Sequence, residues 1–289
     1  MRCLSRPTMS RRSRTIVIHL AIVAAMAALL VLCIAYPFLP GRYDQLAWPL
    51  STMAQVFGVV GLPLVPVGLV WLVVPRYGFG LAIISVVIGT GAALVLALFA
   101  TLSVGNAFGV LTLAVWAASV LQLWPYVAHR RRADEGSFNP APLYLILLPA
   151  VGLVAQLALA GPFTTSSRAR AILNASEFIG QIETYRAAHG RYPPSLQAQN
   201  RDYDPHVVGV ETYVYAPSGD SYDLSFEQPR FLLDRFGTRE WIVYNPRNQH
   251  RAYSHTAWRL GSPDEQGRSQ GWYASGETGH PRWRYFWFD

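Results

Sequence analysis

The sequence predicts a membrane α-helical bundle of five transmembrane helices, followed by a small α+β domain in which one long helix packs on an antiparallel sheet. The first observation is composition, because 52% of the 289 residues are hydrophobic and only 14% are charged, as is typical of integral membrane proteins. The second is that long apolar stretches fill the first part of the chain. The third is that helical and then strand periodicity follows them. We therefore divide the chain into a membrane anchor, residues 1–162, and a C-terminal domain, residues 163–289.

Five apolar stretches are each close to the roughly 20 residues that a helix needs to cross the bilayer. The first is too long for the apolar region of a signal peptide and lacks a small-residue cleavage site, so we interpret it as a retained helix. Pro63 and Pro66 predict a kink in the second. The predicted spans are residues 15–36, 53–74, 80–102, 108–127 and 143–161.

The arginine distribution predicts the orientation of these spans. The chain has a net charge of +7, and residues 1–162 alone hold ten arginines against three acidic residues, whereas residues 163–289 are balanced. Nine of the ten lie in the N-terminal tail and in the second and fourth connections, and arginine in short loops stays on the cytoplasmic side. The N-terminus is therefore expected to be cytoplasmic and the C-terminal domain to lie outside. The nine are Arg2, Arg6, Arg11, Arg12, Arg14, Arg76, Arg130, Arg131 and Arg132.

The membrane part lacks the residues that transport and proton relay require. Such functions place ionisable side chains inside the bilayer, and the predicted spans contain only His19, close to the start of the first. We interpret the bundle as a packed anchor whose partner is the lipid bilayer. Nucleic acid is not an expected partner, because the excess arginines flank helices and do not form a basic patch on a folded face.

The C-terminal domain begins with a predicted helix. Thr164–Ser167 are helix-starting residues, Gly190 is placed for a left-handed cap, and Pro193 and Pro194 forbid continuation. Between them, apolar residues recur at steps of three and four, which gives one stripe that must be buried. The stripe consists of Ala171, Ile172, Ala175, Phe178, Ile179, Ile182 and Tyr185.

The helix is followed by strand signals. Tyr222, Leu224 and Phe226 alternate with polar residues after a Pro217–Asp220 turn, the pattern of an antiparallel hairpin with one apolar face. Further strands are expected at residues 240–244, 252–258 and 282–288.

One stretch resembles the type IV pilin-like proteins, and most closely the major pseudopilin of type II secretion systems. It combines an apolar span, a polar helix, the segment His189–Leu196 with Tyr192 and Pro193, and the hairpin between Tyr215 and Phe226. The resemblance covers residues 143–227. It implies a long helix that begins in the membrane and packs its outer half on a sheet, bacterial inner-membrane localisation with the domain in the periplasm, and protein partners there. The prepilin cleavage site of that family is missing before Leu143, so we expect neither processing nor stacking into a fibre by that route.

Catalytic signatures are missing from the sequence. It contains no HExxH, GxSxG, Walker, GxGxxG or CxxC motif, and no two histidines have metal-ligand spacing on the predicted helix. We therefore expect no enzyme activity, no cofactor and no metal.

The last residues of the chain are rich in aromatic side chains. Trp283, Tyr285 and Trp287 alternate along one predicted strand and Trp272 precedes it, so these four residues are a candidate interaction surface. Aromatic faces with polar edges suit sugar rings or proteins, although a small sheet also uses such residues for its core.

Two functions follow from these patterns. The first is a non-enzymatic inner-membrane protein that presents a pilin-like periplasmic domain for protein–protein interaction, linked to secretion or pilus machinery. The alternative is a periplasmic ligand-binding module for cell-wall glycan that uses the tryptophan-rich sheet.

Overall fold

The computed structural model describes residues 11–130, 139–195, 204–234, 239–250, 252–253, 259–260 and 274–288. The chain forms two compact units. The membrane unit comprises residues 1–34 and 52–155, and the sheet unit comprises residues 35–51 and 156–289. The sheet unit thus includes residues 35–51 in addition to the C-terminal part of the chain.

Six helices carry the apolar stretches. They are α1 Arg11–Ala35, α2 Ala47–Val60, α3 Leu64–Val73, α4 Gly78–Ser103, α5 Asn106–Arg130 and α6 Ala141–His189. Within the described residues, three segments are long and apolar enough to cross a membrane: Ser13–Phe38, Pro75–Ser103 and Ala141–His189. The pair α2 and α3 adds a fourth if it forms one bent span. The fourth predicted span, residues 108–127, corresponds to α5, whose apolar described part, Asn106–Gln122, is shorter.

The predicted kink in the second span is confirmed. The axes of α2 and α3 differ by 51°, and Pro63 lies at the N-terminal boundary of α3. A proline removes one helical hydrogen bond and its ring clashes with the preceding turn, which accounts for a break at this position.

Glycines allow close helix contacts in the membrane unit. A Cβ at Gly89 on α4 would lie 2.4 Å from a ring carbon of Trp116 on α5, and a Cβ at Gly152 would lie 2.9 Å from the Cα of Gly58. The Trp116 indole also donates a hydrogen bond to the Thr90 hydroxyl over 3.1 Å. Gly91 on the same helix, by contrast, faces open space.

The helix of the C-terminal domain does not start where the sequence predicts. Helix α6 is continuous over 49 residues, from Ala141 to His189, and passes through Gly161 and Pro162. The Ser167 hydroxyl donates to the carbonyl of Thr164 over 3.1 Å inside the helix, and does not cap a new one. Serine and threonine cap helices only where the preceding chain is not helical. The predicted end is confirmed, since Gly190 adopts φ +70° and donates its N–H to the carbonyl of Arg186.

The sheet is antiparallel and has five strands in the order β1-β2-β3-β7-β6. Its hairpin is the predicted one, with Gly219 at φ +59° in the turn. A second pairing joins two short strands, β4 and β5. The strands are β1 Val214–Ser218, β2 Ser221–Gln228, β3 Arg239–Tyr244, β4 Ala252–Tyr253, β5 Arg259–Leu260, β6 Ser275–Glu277 and β7 Trp283–Phe288.

The buried stripe of α6 packs on one face of this sheet, which confirms the predicted α+β architecture. Ile182 is fully buried, together with Leu224 of β2 and Ile242 of β3. The members of this core on the helix are Ala171, Ile172, Ala175, Phe178 and Ile182, with Ile179 partly buried against it. The opposite face of the sheet is not fully exposed to solvent, because Asp223 and Phe286 on that face are buried.

The connection between α1 and α2 is built into the sheet unit. Val208 and Gly209 donate their N–H groups to the carbonyls of Leu39 and Pro37, over 3.0 and 2.8 Å. The Trp48 indole donates to the Gly209 carbonyl over 3.0 Å. A side chain at Gly209 would meet Pro37 at 2.6 Å, so this close approach requires glycine. The domain is thus held by the first connection as well as by α6.

Candidate functional site

The aromatic side chains of β7 do not line an open groove. Trp283 is only 5% exposed, and its ring centroid lies 5.3 Å from that of Tyr244 and 6.0 Å from that of Phe226. Tyr285 and Trp287 are half-buried. Trp283 is therefore a core residue and offers no face to a ligand. Trp272, the fourth member of the candidate surface, lies outside the described residues.

The two half-buried rings are covered by arginines of the same chain. The rings of Tyr285 and Trp287 lie 4.9 Å apart. The guanidinium carbon of Arg168 lies 5.6 Å from the centre of the Tyr285 ring, and that of Arg230 lies 4.6 Å from the centre of the Trp287 ring. Cations over aromatic faces are stabilised by the ring quadrupole, most strongly where water is excluded.

A buried glutamate holds both arginines in place. Glu240 on β3 is fully buried, and its Oε1 accepts from Nη2 of Arg168 over 2.5 Å. Its Oε2 accepts from Nη1 of Arg230. Arg230 also pairs with Asp234 over 2.6 Å. We call these four residues the ion cluster. Two guanidinium groups face two carboxylates, so the cluster is charge-balanced, and a buried pair with satisfied partners avoids the large cost of an isolated buried charge.

A second polar contact lies beside the ion cluster. Gln228 at the end of β2 is 1% exposed and donates its amide to the Ser167 hydroxyl over 2.8 Å. Ser167 precedes Arg168 on α6, so two successive helical residues are hydrogen-bonded to the sheet. Ser167, which the sequence suggested as a helix-starting residue, therefore contributes a polar contact between α6 and the sheet.

Two tyrosine hydroxyls at the start of the hairpin donate to α6 and to the chain that follows it. Tyr213 donates to the carbonyl of Ala171 over 2.5 Å, and Tyr215 donates to that of Pro193 over 2.8 Å. Burial raises the pKa of Tyr215 to about 12, and burial likewise raises the pKa of Tyr213. These hydroxyls therefore remain protonated hydrogen-bond donors at neutral pH.

The segment that carries the pilin-like resemblance has a structural use. Tyr192 is 6% exposed, and its ring meets that of Tyr222 edge-on at 4.9 Å. Its hydroxyl accepts from Nη1 of Arg186 over 2.7 Å. The tyrosine after the helix therefore folds the chain back onto the sheet.

The described histidines do not converge. His250 is 3% exposed, with Nε2 at 2.9 Å from the carbonyl oxygen of Arg282. Burial lowers the pKa of His250, and the positive charge of Arg284 acts in the same direction. His189 stacks on Tyr185 at the end of α6. Over the part of the chain that the structure describes, no three His, Cys, Asp or Glu side chains could hold a metal ion together.

The ion cluster was not visible in the sequence. Arg168, Arg230 and Glu240 are separated by 62 and 10 positions and carry no motif. Each could equally have been a solvated surface charge, because only pairing of β2 with β3 and packing of α6 on the sheet bring them together. The one signal in the sequence was a charged residue, Glu240, within a strand otherwise rich in apolar residues, which indicates a buried carboxylate that needs a partner.

Comparison of this chain with protein-family models, with curated proteins and with solved structures finds no match.

Proposed function

We propose that this chain is a non-enzymatic bacterial inner-membrane protein that presents a pilin-like α+β domain to the periplasm for contact with protein partners. The observation that carries the proposal is α6, a single helix from Ala141 to His189. Its first part is apolar enough to cross a membrane, and its last part buries a stripe against an antiparallel sheet. This is the arrangement that the resemblance to pilin-like proteins implies.

Five spans are supported by the placement of the first connection. Residues 35–51 belong to the same unit as residues 156–289, and their backbone hydrogen bonds to Val208 and Gly209 require both to lie on one side of the membrane. An even number of crossings must then separate them. The α2–α3 pair, α4, α5 and the first part of α6 provide four, and this count supports α5 as a span. Its 25 residues are sufficient.

The arginine distribution supports a periplasmic position for residues 35–51 and for the C-terminal domain. Arg42 is the single basic residue of the α1–α2 connection and lies two positions from Asp44, whereas the N-terminal tail holds five arginines. Protease added to spheroplasts should remove the region beyond Pro162. Protection of that region in intact spheroplasts, with cleavage after lysis, would reverse the orientation.

The glycan alternative loses its support in the sheet. It requires Trp283 and Trp287 to be exposed along one groove, but Trp283 is in the core and the ring of Trp287 faces Arg230. The side of α6 opposite its buried stripe is the better candidate surface for protein contact. Leu173 lies on that side, and its apolar side chain is 64% exposed.

Photocrosslinking in living cells tests the proposal. A benzophenone amino acid replaces Leu173 on α6 or, as a matched control, Val214, which is 44% exposed on the edge strand β1. We expect crosslinks from position 173 to a periplasmic component of secretion or pilus machinery, and none to that component from position 214. Crosslinks from position 173 to lipid, to glycan or to this chain alone would contradict it.

A further inference from the structure

The connection between β2 and β3 packs beside the residues at which the chain enters the membrane. The ring of Phe231 lies nearly parallel to that of Phe38, with centroids 4.5 Å apart and planes 17° apart. Phe38 is the last residue of the apolar segment Ser13–Phe38. Its ring also meets Phe163 of α6 edge-on at 6.4 Å. Phe163 follows the predicted end of the last span by two residues, so the connection lies where both α1 and α6 leave the bilayer.

An apolar side chain is exposed at this place. Phe231 itself is 2% exposed, but Leu233, two residues farther along the connection, is 46% exposed. Leu46 and Leu50 are 44% and 45% exposed where α2 begins, another point at which the chain enters the membrane. Exposed leucines at the ends of apolar spans are unfavourable in water and favourable against acyl chains, by about 2 kcal/mol for a fully transferred side chain.

Two described charged residues of this connection, Arg230 and Asp234, are paired with each other. The Arg230 side chain is 6% exposed and its guanidinium is held by Glu240 and Asp234. An unpaired charge would oppose entry into the bilayer, whereas Arg230 and Asp234 on either side of Leu233 are paired. Contact of Leu233 with lipid therefore does not require either of these two residues to lose water as an isolated charge.

We propose that residues 231–234, the described start of the β2–β3 connection, contact lipid, with Leu233 entering the interfacial region of the bilayer beside the end of α1 and Phe163 of α6. The occupant is lipid and not a protein partner, because the exposed side chain is continuous with residues that end apolar spans. This inference does not depend on the proposed protein contacts, and holds on either side of the membrane.

Leu173 provides a matched control. It is an exposed leucine of the same unit, but it lies ten residues beyond Phe163 along α6, a rise of about 15 Å. If exposure of a leucine alone caused lipid contact, probes at positions 173 and 233 would both contact lipid. If the location of the residue in the fold determines lipid contact, only the probe at position 233 would do so.

The test uses the full chain with Cys3→Ser and Cys33→Ala, reconstituted in nanodiscs of phosphatidylethanolamine and phosphatidylglycerol. Leu233→Cys and Leu173→Cys each carry the fluorophore NBD. At position 233 we expect blue-shifted emission, quenching by lipids with a doxyl group near the headgroup, and several-fold weaker quenching by aqueous iodide than at position 173. Equal iodide quenching at both positions would overturn the proposal. Protection from iodide at position 233 without doxyl quenching would also overturn it, because it would indicate burial by protein.

Discussion

Arg168 on α6 and Glu240 on β3 form a hydrogen-bonded ion pair of 2.5 Å across 72 positions of sequence, with the glutamate fully buried. This pair ties the helix that leaves the membrane to the centre of the sheet. Arg230 occupies the other oxygen of the same carboxylate, so loss of the glutamate would leave two arginines without their shared partner. The energetics of the domain should therefore depend strongly on this one side chain.

The first prediction concerns Glu240→Gln. A buried charge deprived of its partner typically costs about 3–5 kcal/mol, and this variant removes the negative charge opposite two guanidinium groups. We expect the unfolding temperature of the sheet unit, followed by tryptophan fluorescence in detergent, to fall by roughly 10 °C. Glu227→Gln is the control, because Glu227 pairs with Arg239 at a position where the Arg239 side chain is 59% exposed. Exposed pairs contribute about 1 kcal/mol or less. Equal effects of the two variants would show that the ion cluster does not stabilise the fold.

The second prediction concerns the connection between α1 and α2. Pro40 and Val207 are partners in an antiparallel bridge, and such partners have Cα atoms about 5 Å apart, within the range of a disulfide. In a chain with Cys3→Ser and Cys33→Ala, the pair Pro40→Cys and Val207→Cys should therefore oxidise to an intramolecular disulfide. Mass spectrometry of the unreduced peptides detects the bond, and the two single variants are controls. Two free thiols after treatment with an oxidant would mean that the first connection does not dock on the domain.

The third prediction separates two glycines of α4. Gly89→Ala places a Cβ 2.4 Å from the Trp116 ring, whereas Gly91→Ala faces open space. Overpacking costs about 1–3 kcal/mol, so Gly89→Ala should lower the thermal stability of the membrane unit in detergent and Gly91→Ala should not. If both variants were neutral, Trp116 would not be held against α4.

The fourth prediction concerns pH and His250. Burial holds the pKa of His250 below its ordinary value of 6.5, so the folded chain binds this proton more weakly than the unfolded chain does. The free energy of unfolding should therefore decrease as the pH falls below 6.5, until the histidine also protonates in the folded state.

His250→Gln checks this, because glutamine can donate to the Arg282 carbonyl and does not titrate. Unfolding temperatures measured between pH 7.5 and pH 5 should vary less in this variant than in the unmodified chain. An unaltered profile in His250→Gln would assign the acid sensitivity to other groups.

Local patterns predicted most of the secondary structure. The stripe from Ala171 to Ile182 is visible because a helix repeats every 3.6 residues, and the alternation of Tyr222, Leu224 and Phe226 because a strand repeats every two. The same alternation placed Trp283, Tyr285 and Trp287 on one face of β7, and the register with β3 agrees with it. It could not reveal that Trp283 is inside the core while Arg168 and Arg230 cover the other two rings.

The sequence by itself determined an apolar membrane part, a kink at Pro63, a helix that ends at Gly190 and an antiparallel sheet. Each depends on the conformational preferences or solvation of residues that are close along the chain. Only the tertiary structure decided that residues 35–51 join the sheet unit and that Glu240 is a buried acceptor for two arginines. These features arise from contacts between distant segments, whose energies depend on burial and hydrogen-bond geometry that no local pattern encodes.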